Sequence, residues 1–263
     1  MVCDHTKLSI AQIVFYLPVV ITSAYLACYR HGRPRMAWII LMIFSSIRIA
    51  AGIVVIVYEQ VPRTGLMVSS LILLNAGVFP LIAATLGFIR IIYGFTFYGF
   101  ENLTTSSISL EKSMNPRIRQ CLLLSRILFF AGIGLTIAGG VLEGSDSIDD
   151  VITGNKLVKT GYILVVVFVA CLLVIQAYFW TQKSRLARTS RMILTSTTIA
   201  IPFIATRITY LFLSVFHVSD LRWSALLGPV APFLLMGLVM EYSVVCVYLT
   251  TGFLIPCLKA VKV

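Results

Sequence analysis

Charged residues are scarce in this sequence. Asp, Glu, Lys and Arg make up 12% of the 263 residues, about half the fraction found in a typical soluble domain, and only ten residues are acidic. Hydrophobic residues account for 59% and form runs of about 20 residues, the length that crosses a bilayer core as a helix. The composition therefore excludes a soluble globular protein and predicts a polytopic helical membrane protein.

Several chemical motifs are also missing from the sequence. It contains no HExxH or CxxC motif, and His5, His31 and His217 lie at span ends or in loops, so we expect no metal site. There is no Gly-rich phosphate loop and no GxSxG motif. The last predicted span lacks the Lys that a retinal Schiff base needs. We therefore expect neither a metal nor a cofactor.

Apolar runs separated by charged or turn-rich breaks predict seven transmembrane helices. The whole chain, residues 1–263, is thus predicted to be a single all-α domain, a seven-helix transmembrane bundle. The predicted spans are 9–29, 36–58, 65–90, 120–142, 159–180, 191–216 and 225–251.

Basic residues predict the orientation of these spans, because Lys and Arg concentrate in cytoplasmic loops. Thirteen of them lie in the first, third and fifth loops and the C-terminal tail, against five on the other side. We therefore expect a lumenal or outside N-terminus and a cytoplasmic C-terminus, in the endoplasmic reticulum membrane. The same rule accounts for the net charge of +11 without a nucleic-acid partner. The glycosylation acceptor Asn102-Leu103-Thr104 falls on the cytoplasmic side, where it should be unused.

Ionisable residues inside the spans are the most informative positions, because a charge at mid-bilayer costs at least about 2.5 kcal/mol. Arg48, Arg207 and Glu241 lie midway along the second, sixth and seventh spans, and Asn75 lies at similar depth in the third. Arg126 is nearer the cytoplasmic end of the fourth. We expect Arg48, Asn75, Arg207 and Glu241 to converge in one polar cluster.

Two interpretations of this cluster stay open. Arg207 can pair with Glu241 while Arg48 bonds to backbone carbonyls, which would only tie helices together. Alternatively, three Arg against one Glu need further anions, supplied by a ligand or by Glu59 and Glu143 at the outer ends of their spans. Helical spacing places Glu59 on nearly the same helix face as Arg48.

Several motifs resemble a known group of proteins. They include Phe15-Tyr16-Leu17-Pro18, Ser45-Ser46-Ile47-Arg48-Ile49 and Ile201-Pro202-Phe203-Ile204-Ala205-Thr206-Arg207. The sequence resembles an uncharacterised family of fungal seven-helix integral membrane proteins, some encoded beside polyketide or terpenoid biosynthesis genes. The resemblance implies an enzyme of fungal secondary metabolism that acts on a lipophilic intermediate, either an epoxide-opening hydrolase or a cyclase.

Acid/base catalysis of that kind is compatible with the polar residues, because opening an epoxide needs an acid and a base. Which Glu would take which role stays open, as does self-association into a homo-oligomer. The alternative is an anion- or lipid-binding transporter, scramblase or seven-helix sensor that uses the Arg charge. The partners expected in either case are the lipid bilayer and a lipophilic small molecule. The candidate catalytic residues are Glu59, Glu241, Arg48 and Arg207, and the candidate substrate-binding residues are Asn75, Arg126, Tyr210 and Tyr248.

Overall fold

The computed structural model describes residues 4–30, 36–98, 116–144, 147–217, 220–223, 226 and 228–255. Within these ranges the protein is all-helical and has no strands. The Asn102-Leu103-Thr104 acceptor and the C-terminal Lys259 and Lys262 lie outside them. The side chain of Arg126 is likewise not among those described.

The described part of the chain forms eight principal α-helices, of which the third and fourth follow each other within one span. We number them as α1 (Asp4–Tyr25, continued by a π-helical turn Leu26–Arg30), α2 (Met36–Gln60), α3 (Thr64–Ala76), α4 (Val78–Tyr98), α5 (Pro116–Glu143), α6 (Ile148–Thr181), α7 (Arg188–Phe216) and α8 (Met240–Leu254). A short helix Val230–Pro232 and a π-helical turn Phe233–Val239 lead into α8.

Within the described ranges, six helical segments are long and apolar enough to cross a membrane. The fourth predicted span holds a shorter apolar helix, Ile127–Glu143. The chain is therefore a multi-pass membrane protein with six to seven spans. We call the end of the bundle at which α1 begins and α2 ends its N-terminal end.

Helix α6 is longer than the sequence predicts. It begins at Ile148, whereas the apolar run that marks the span begins near residue 159. Asp149 and Asp150 lie in its first turn, where carboxylates favour the positive end of the helix dipole. At 1.5 Å per residue the helix is about 51 Å long, so its first turns extend beyond a bilayer core of about 30 Å.

Two of the predicted spans are interrupted at mid-depth. The third is divided at Gly77 into α3 and α4, and the last contains the π-helical turn Phe233–Val239. Pro80 lies three residues after Gly77 and lacks an N–H to bond the carbonyl four residues earlier. These irregularities flank the polar centre described below.

The buried apolar side chains form two groups. The larger one fills most of the bundle and includes Phe44, Phe79, Phe168 and Tyr248. The smaller one lies toward the N-terminal end, and we call it the apolar cap. It consists of Ala51, Val55, Leu74, Tyr210, Leu226, Phe233 and Leu238, with Trp223 packed against it.

Candidate functional site

Three charged side chains meet at the centre of the bundle. Arg48 of α2, Arg207 of α7 and Glu241 of α8 are 0%, 1% and 0% exposed. The Nε atom of Arg207 donates to Glu241 Oε1 at 2.5 Å, and Arg48 Nη2 donates to the same oxygen. We call these three residues the ionic cluster. One carboxylate oxygen therefore accepts a charge-assisted hydrogen bond from each guanidinium group.

A backbone oxygen completes the arrangement. The carbonyl of Leu74 accepts from Arg48 Nη1 at 2.9 Å and from Arg207 Nη2 at 3.2 Å. Each guanidinium group thus bridges the same two oxygen atoms with two of its nitrogens. A carbonyl oxygen has two lone pairs, so the two donors use the acceptor capacity of Leu74, close to the helix interruption at Gly77.

Helix α1 supports the cluster from the side. Gln12 Nε2 donates to the backbone oxygen of Arg48 at 2.7 Å, which holds α1 against the middle of α2. The hydroxyl of Tyr16 lies 3.4 Å from Glu241 Oε2, a long hydrogen bond. Both side chains are buried. The second carboxylate oxygen of Glu241 is therefore held less tightly than the first.

The cluster carries more positive charge than negative. Two guanidinium groups and one carboxylate give a net charge of +1, within a segment that spans the membrane. Among the residues that the structure describes, three buried donor atoms near this charge have no hydrogen-bond partner: Arg48 Nε, Arg207 Nη1 and the Tyr210 hydroxyl. A buried polar atom without a partner costs about 1–3 kcal/mol. The site therefore has unused capacity for an acceptor, and a negative charge suits it best.

Tyr210 connects the ionic cluster to the apolar cap. Its ring centroid lies 5.4 Å from Arg207 Cζ, in cation–π contact. On the cap side it lies 6.1 Å from the ring of Phe233 and 6.4 Å from that of Trp223. An apolar environment therefore begins directly beside the charged centre on its N-terminal side.

The structure brings together some of the sequence-predicted site residues and separates others. Arg48, Arg207 and Glu241 share one cluster, and Tyr210 lies beside it. Asn75 is next to Leu74 in the chain, but its buried Oδ1 atom has no hydrogen-bond partner among the described residues.

Tyr248, Glu59 and Glu143 lie away from the cluster. The Tyr248 hydroxyl is 2.6 Å from Thr85 Oγ1, seven residues along α8 from Glu241. Glu59 is half-buried near the end of α2, about 16 Å along the helix from Arg48. Glu143 is exposed at the end of α5, so neither carboxylate reaches inward to balance the charge.

Sequence reasoning missed four contributors to the site. They are Gln12, Tyr16, the Leu74 carbonyl and Gly77. Gln12 could have been identified from the sequence, because it is one of few amide side chains within a predicted span. Nothing in the sequence distinguishes the Leu74 carbonyl from other backbone carbonyls. Within the described ranges, no three His, Cys, Asp or Glu side chains are grouped closely enough to hold a metal ion.

Comparisons with known proteins identify the family but not an activity. A family described as "Domain of unknown function (DUF7702)" matches residues 2–257. No curated protein and no solved structure matches the chain. Because the family match covers nearly the whole sequence, including every residue of the ionic cluster, the chain belongs to the DUF7702 family.

Proposed function

We propose that this protein binds a lipophilic monoanion, such as an apolar chain with one carboxylate, at the ionic cluster. The observation that carries the proposal is the net positive charge of a fully buried cluster whose donors Arg48 Nε and Arg207 Nη1 have no hydrogen-bond partner in the described part of the chain. Arg is well suited to the task, because its planar fork matches the geometry of a carboxylate. Binding of this kind fits a sensor or a carrier.

Charge counting favours a ligand with a single negative charge. The cluster is left with +1, so one monoanion brings the buried centre to neutrality. A dianion such as a phosphate monoester would leave it at −1. Since an uncompensated charge at this depth is costly, we expect discrimination between the two.

The apolar cap supports the lipophilic part of the proposal. Phe233, Leu238 and Val55 belong to the same apolar cap as Tyr210, and the ring of Phe233 lies 6.1 Å from that of Tyr210. A ligand whose acidic group reaches the guanidinium groups would lie among these side chains. Burying a chain of methylene groups there is favourable by about 0.8 kcal/mol for each group.

Binding of decanoate to the purified protein in lipid nanodiscs tests the proposal. Radiolabelled decanoate would be measured by scintillation proximity, in competition with unlabelled decanoate, acetate, decanol and decyl phosphate. We expect unlabelled decanoate to compete best, because acetate lacks the chain, decanol lacks the charge and decyl phosphate carries too much charge. Equal competition by decanol and decanoate would show partitioning without a charge site and would contradict the proposal.

Two variants locate the binding site. Arg207→Gln removes one guanidinium group, and we expect at least a roughly tenfold loss of decanoate affinity. The matched control is Arg188→Gln, which removes the same charge from an exposed position at the start of α7. Tyr210→Phe removes a hydroxyl that has no hydrogen-bond partner within the described ranges, so we expect weaker binding without a loss of stability. Unchanged affinity in both site variants would contradict the location.

An acid/base enzyme remains a second proposal, supported by one contact. The Tyr16 hydroxyl faces Glu241 Oε2, which brings a phenol and a carboxylate into one cluster. The resemblance to fungal proteins makes an epoxide or polyene intermediate of a polyketide or terpenoid pathway the proposed substrate, and the endoplasmic reticulum the proposed membrane. In microsomes, Glu241→Gln should then lower product formation by about 10²–10⁴-fold. This enzyme ranks second because Glu59 is not in the cluster.

A further inference from the structure

Both oxygen atoms between the guanidinium groups come from segments where the α-helix is interrupted. Leu74 is three residues before Gly77, the break between α3 and α4. Glu241 is two residues after the π-helical turn Phe233–Val239. We infer that Glu241 is a built-in competitor of the ligand: the incoming carboxylate replaces Glu241 Oε1 between Arg48 and Arg207, and Glu241 moves away with its helix. This inference rests on the proposed function.

The placement of the free donors argues for replacement. Arg48 already uses Nη1 and Nη2, and Arg207 already uses Nε and Nη2. Among the described residues, the nitrogens without a partner are Arg48 Nε and Arg207 Nη1, one on each guanidinium group. The position of Glu241 Oε1 is different, because Arg48 Nη2 and Arg207 Nε both donate to that single oxygen atom. A ligand oxygen in the place of Glu241 Oε1 would therefore be held by both positive charges at once.

The anchoring of Glu241 is uneven, which makes its departure feasible. Its Oε1 is held by both Arg side chains, but the Tyr16 hydroxyl is 3.4 Å from its Oε2. The π-helical turn before it contains one more residue per turn than an α-helix would, and such turns occur frequently at functional sites. Moving that extra residue along the helix turns Glu241 by about 100° without unwinding the segment.

The exchange lowers the net charge inside the bundle. Before binding, two guanidinium groups and Glu241 sum to +1. After binding, the same three groups and the ligand carboxylate sum to zero, with Glu241 still ionised but no longer between the two guanidinium groups. No proton has to enter or leave the membrane interior. The ligand therefore contributes the missing charge and, at the same time, releases α8 from α2 and α7.

Replacing the competitor with an amide tests the inference. We expect Glu241→Gln to bind decanoate at least about tenfold more tightly than the wild-type protein. In the wild-type protein the Glu241 carboxylate occupies the ligand's place and so lowers the apparent affinity. A neutral amide competes less well for the two guanidinium groups. The matched control is Asp149→Asn, which converts an exposed carboxylate to an amide in the first turn of α6. Its affinity for decanoate should equal that of the wild-type protein.

Hydrogen exchange in the wild-type protein provides the second measurement. Saturating decanoate should accelerate exchange of the backbone amides in residues 230–245, whereas a ligand that only adds contacts would slow it. The inference requires both results. Unchanged decanoate affinity in Glu241→Gln would overturn it, and so would hydrogen exchange that is unchanged or slower, whereas the proposed function would not be affected by either outcome. If Glu241→Gln fails to fold, the hydrogen-exchange result alone tests the inference. Absence of decanoate binding to the wild-type protein would instead overturn the proposed function.

Discussion

A Cβ atom at Gly77 would lie 2.7 Å from Arg48 Cζ and 2.8 Å from its Nε. Both distances are shorter than real contacts allow, so any side chain at this position must displace the guanidinium group. Glycine is needed here for lack of space and not for its backbone conformation, because any residue can adopt the φ angle of −57° that Gly77 has. Gly77 therefore helps to position Arg48.

At this position we expect Gly77→Ala to destabilise the protein by about 1–3 kcal/mol, the usual cost of overpacking a buried site. The control is Gly134→Ala in α5, where a Cβ meets nothing within 4 Å and the better helix propensity of Ala favours the helix by up to about 1 kcal/mol. Thermal unfolding of the purified proteins should thus give shifts of opposite sign. A shift of the same sign and size in both would show that the guanidinium group adapts.

Arg48→Lys keeps the positive charge but removes the planar guanidinium group. A single ammonium group cannot reproduce the planar bridge from Nη1 to Leu74 and from Nη2 to Glu241, so we expect a loss of about 1–3 kcal/mol in stability. Arg188→Lys, at an exposed position, should change stability by less than about 0.5 kcal/mol. Chemical or thermal unfolding in detergent compares the two. Equal stability of both variants would mean that charge alone holds the cluster.

Site residues whose side chains cost free energy when they face lipid could be identified from the sequence. Site residues without such a cost could not. Arg48, Arg207 and Glu241 are predictable because each must avoid lipid and find a partner. The Leu74 carbonyl is not, because every residue has a carbonyl and only the local helix geometry frees this one. Glu59 shares a helix face with Arg48, yet about eleven residues of helix keep the two apart.

At the scale of elements, α5 and α6 pack backbone to backbone. A Cβ on Gly139 would lie 2.6 Å from the Gly154 carbonyl oxygen, and a Cβ on Gly154 would lie 2.7 Å from that of Gly139. Gly132 and Gly161 repeat this reciprocal approach two turns away, with distances of 3.1 Å and 2.8 Å. Small residues allow such close packing of membrane helices.

Because α5 and α6 are in such close contact at these glycines, we expect Gly154→Val to separate the two helices. We expect a loss of about 1–3 kcal/mol in stability from overpacking, whereas Gly134→Val on the open face of α5 should cost less than about 1 kcal/mol. Limited proteolysis of the detergent-solubilised proteins, together with their thermal midpoints, distinguishes the two variants. Similar behaviour of both would show that α5 moves freely relative to α6.

The positions of the elements were more predictable than their irregularities. The run 36–58 agrees closely with α2, Met36–Gln60, because its ends are marked by a change in polarity. The start of α6 at Ile148 was missed, since its first turns are polar and hydropathy reports burial in lipid rather than helical structure. Gly77 and the Phe233–Val239 turn lie inside apolar runs, where Pro80, Pro229 and Pro232 are the signs in the sequence of irregular backbone nearby, but they do not indicate where or how the helix is interrupted.

At the scale of the whole molecule, orientation is the open prediction. The basic loops predict a lumenal N-terminus and a cytoplasmic C-terminus. A glycosylation reporter fused to each end in turn should therefore be modified only at the N-terminus, and the native Asn102 acceptor should remain unmodified. Glycosylation of the C-terminal reporter would show the opposite orientation, with the apolar cap toward the cytoplasm.

The oxygen that Leu74 contributes beside the ionic cluster is a backbone atom, and this has a consequence for how the family can vary. Any apolar side chain at position 74 supplies the same carbonyl, so substitution there leaves the acceptor in place and alanine scanning passes over it. An inserted or deleted residue between Thr64 and Gly77 would instead rotate the carbonyl by about 100° away from both arginines. Across relatives, this part of the site should therefore be preserved as a constant segment length, while position 74 needs only an apolar side chain that packs in the apolar cap.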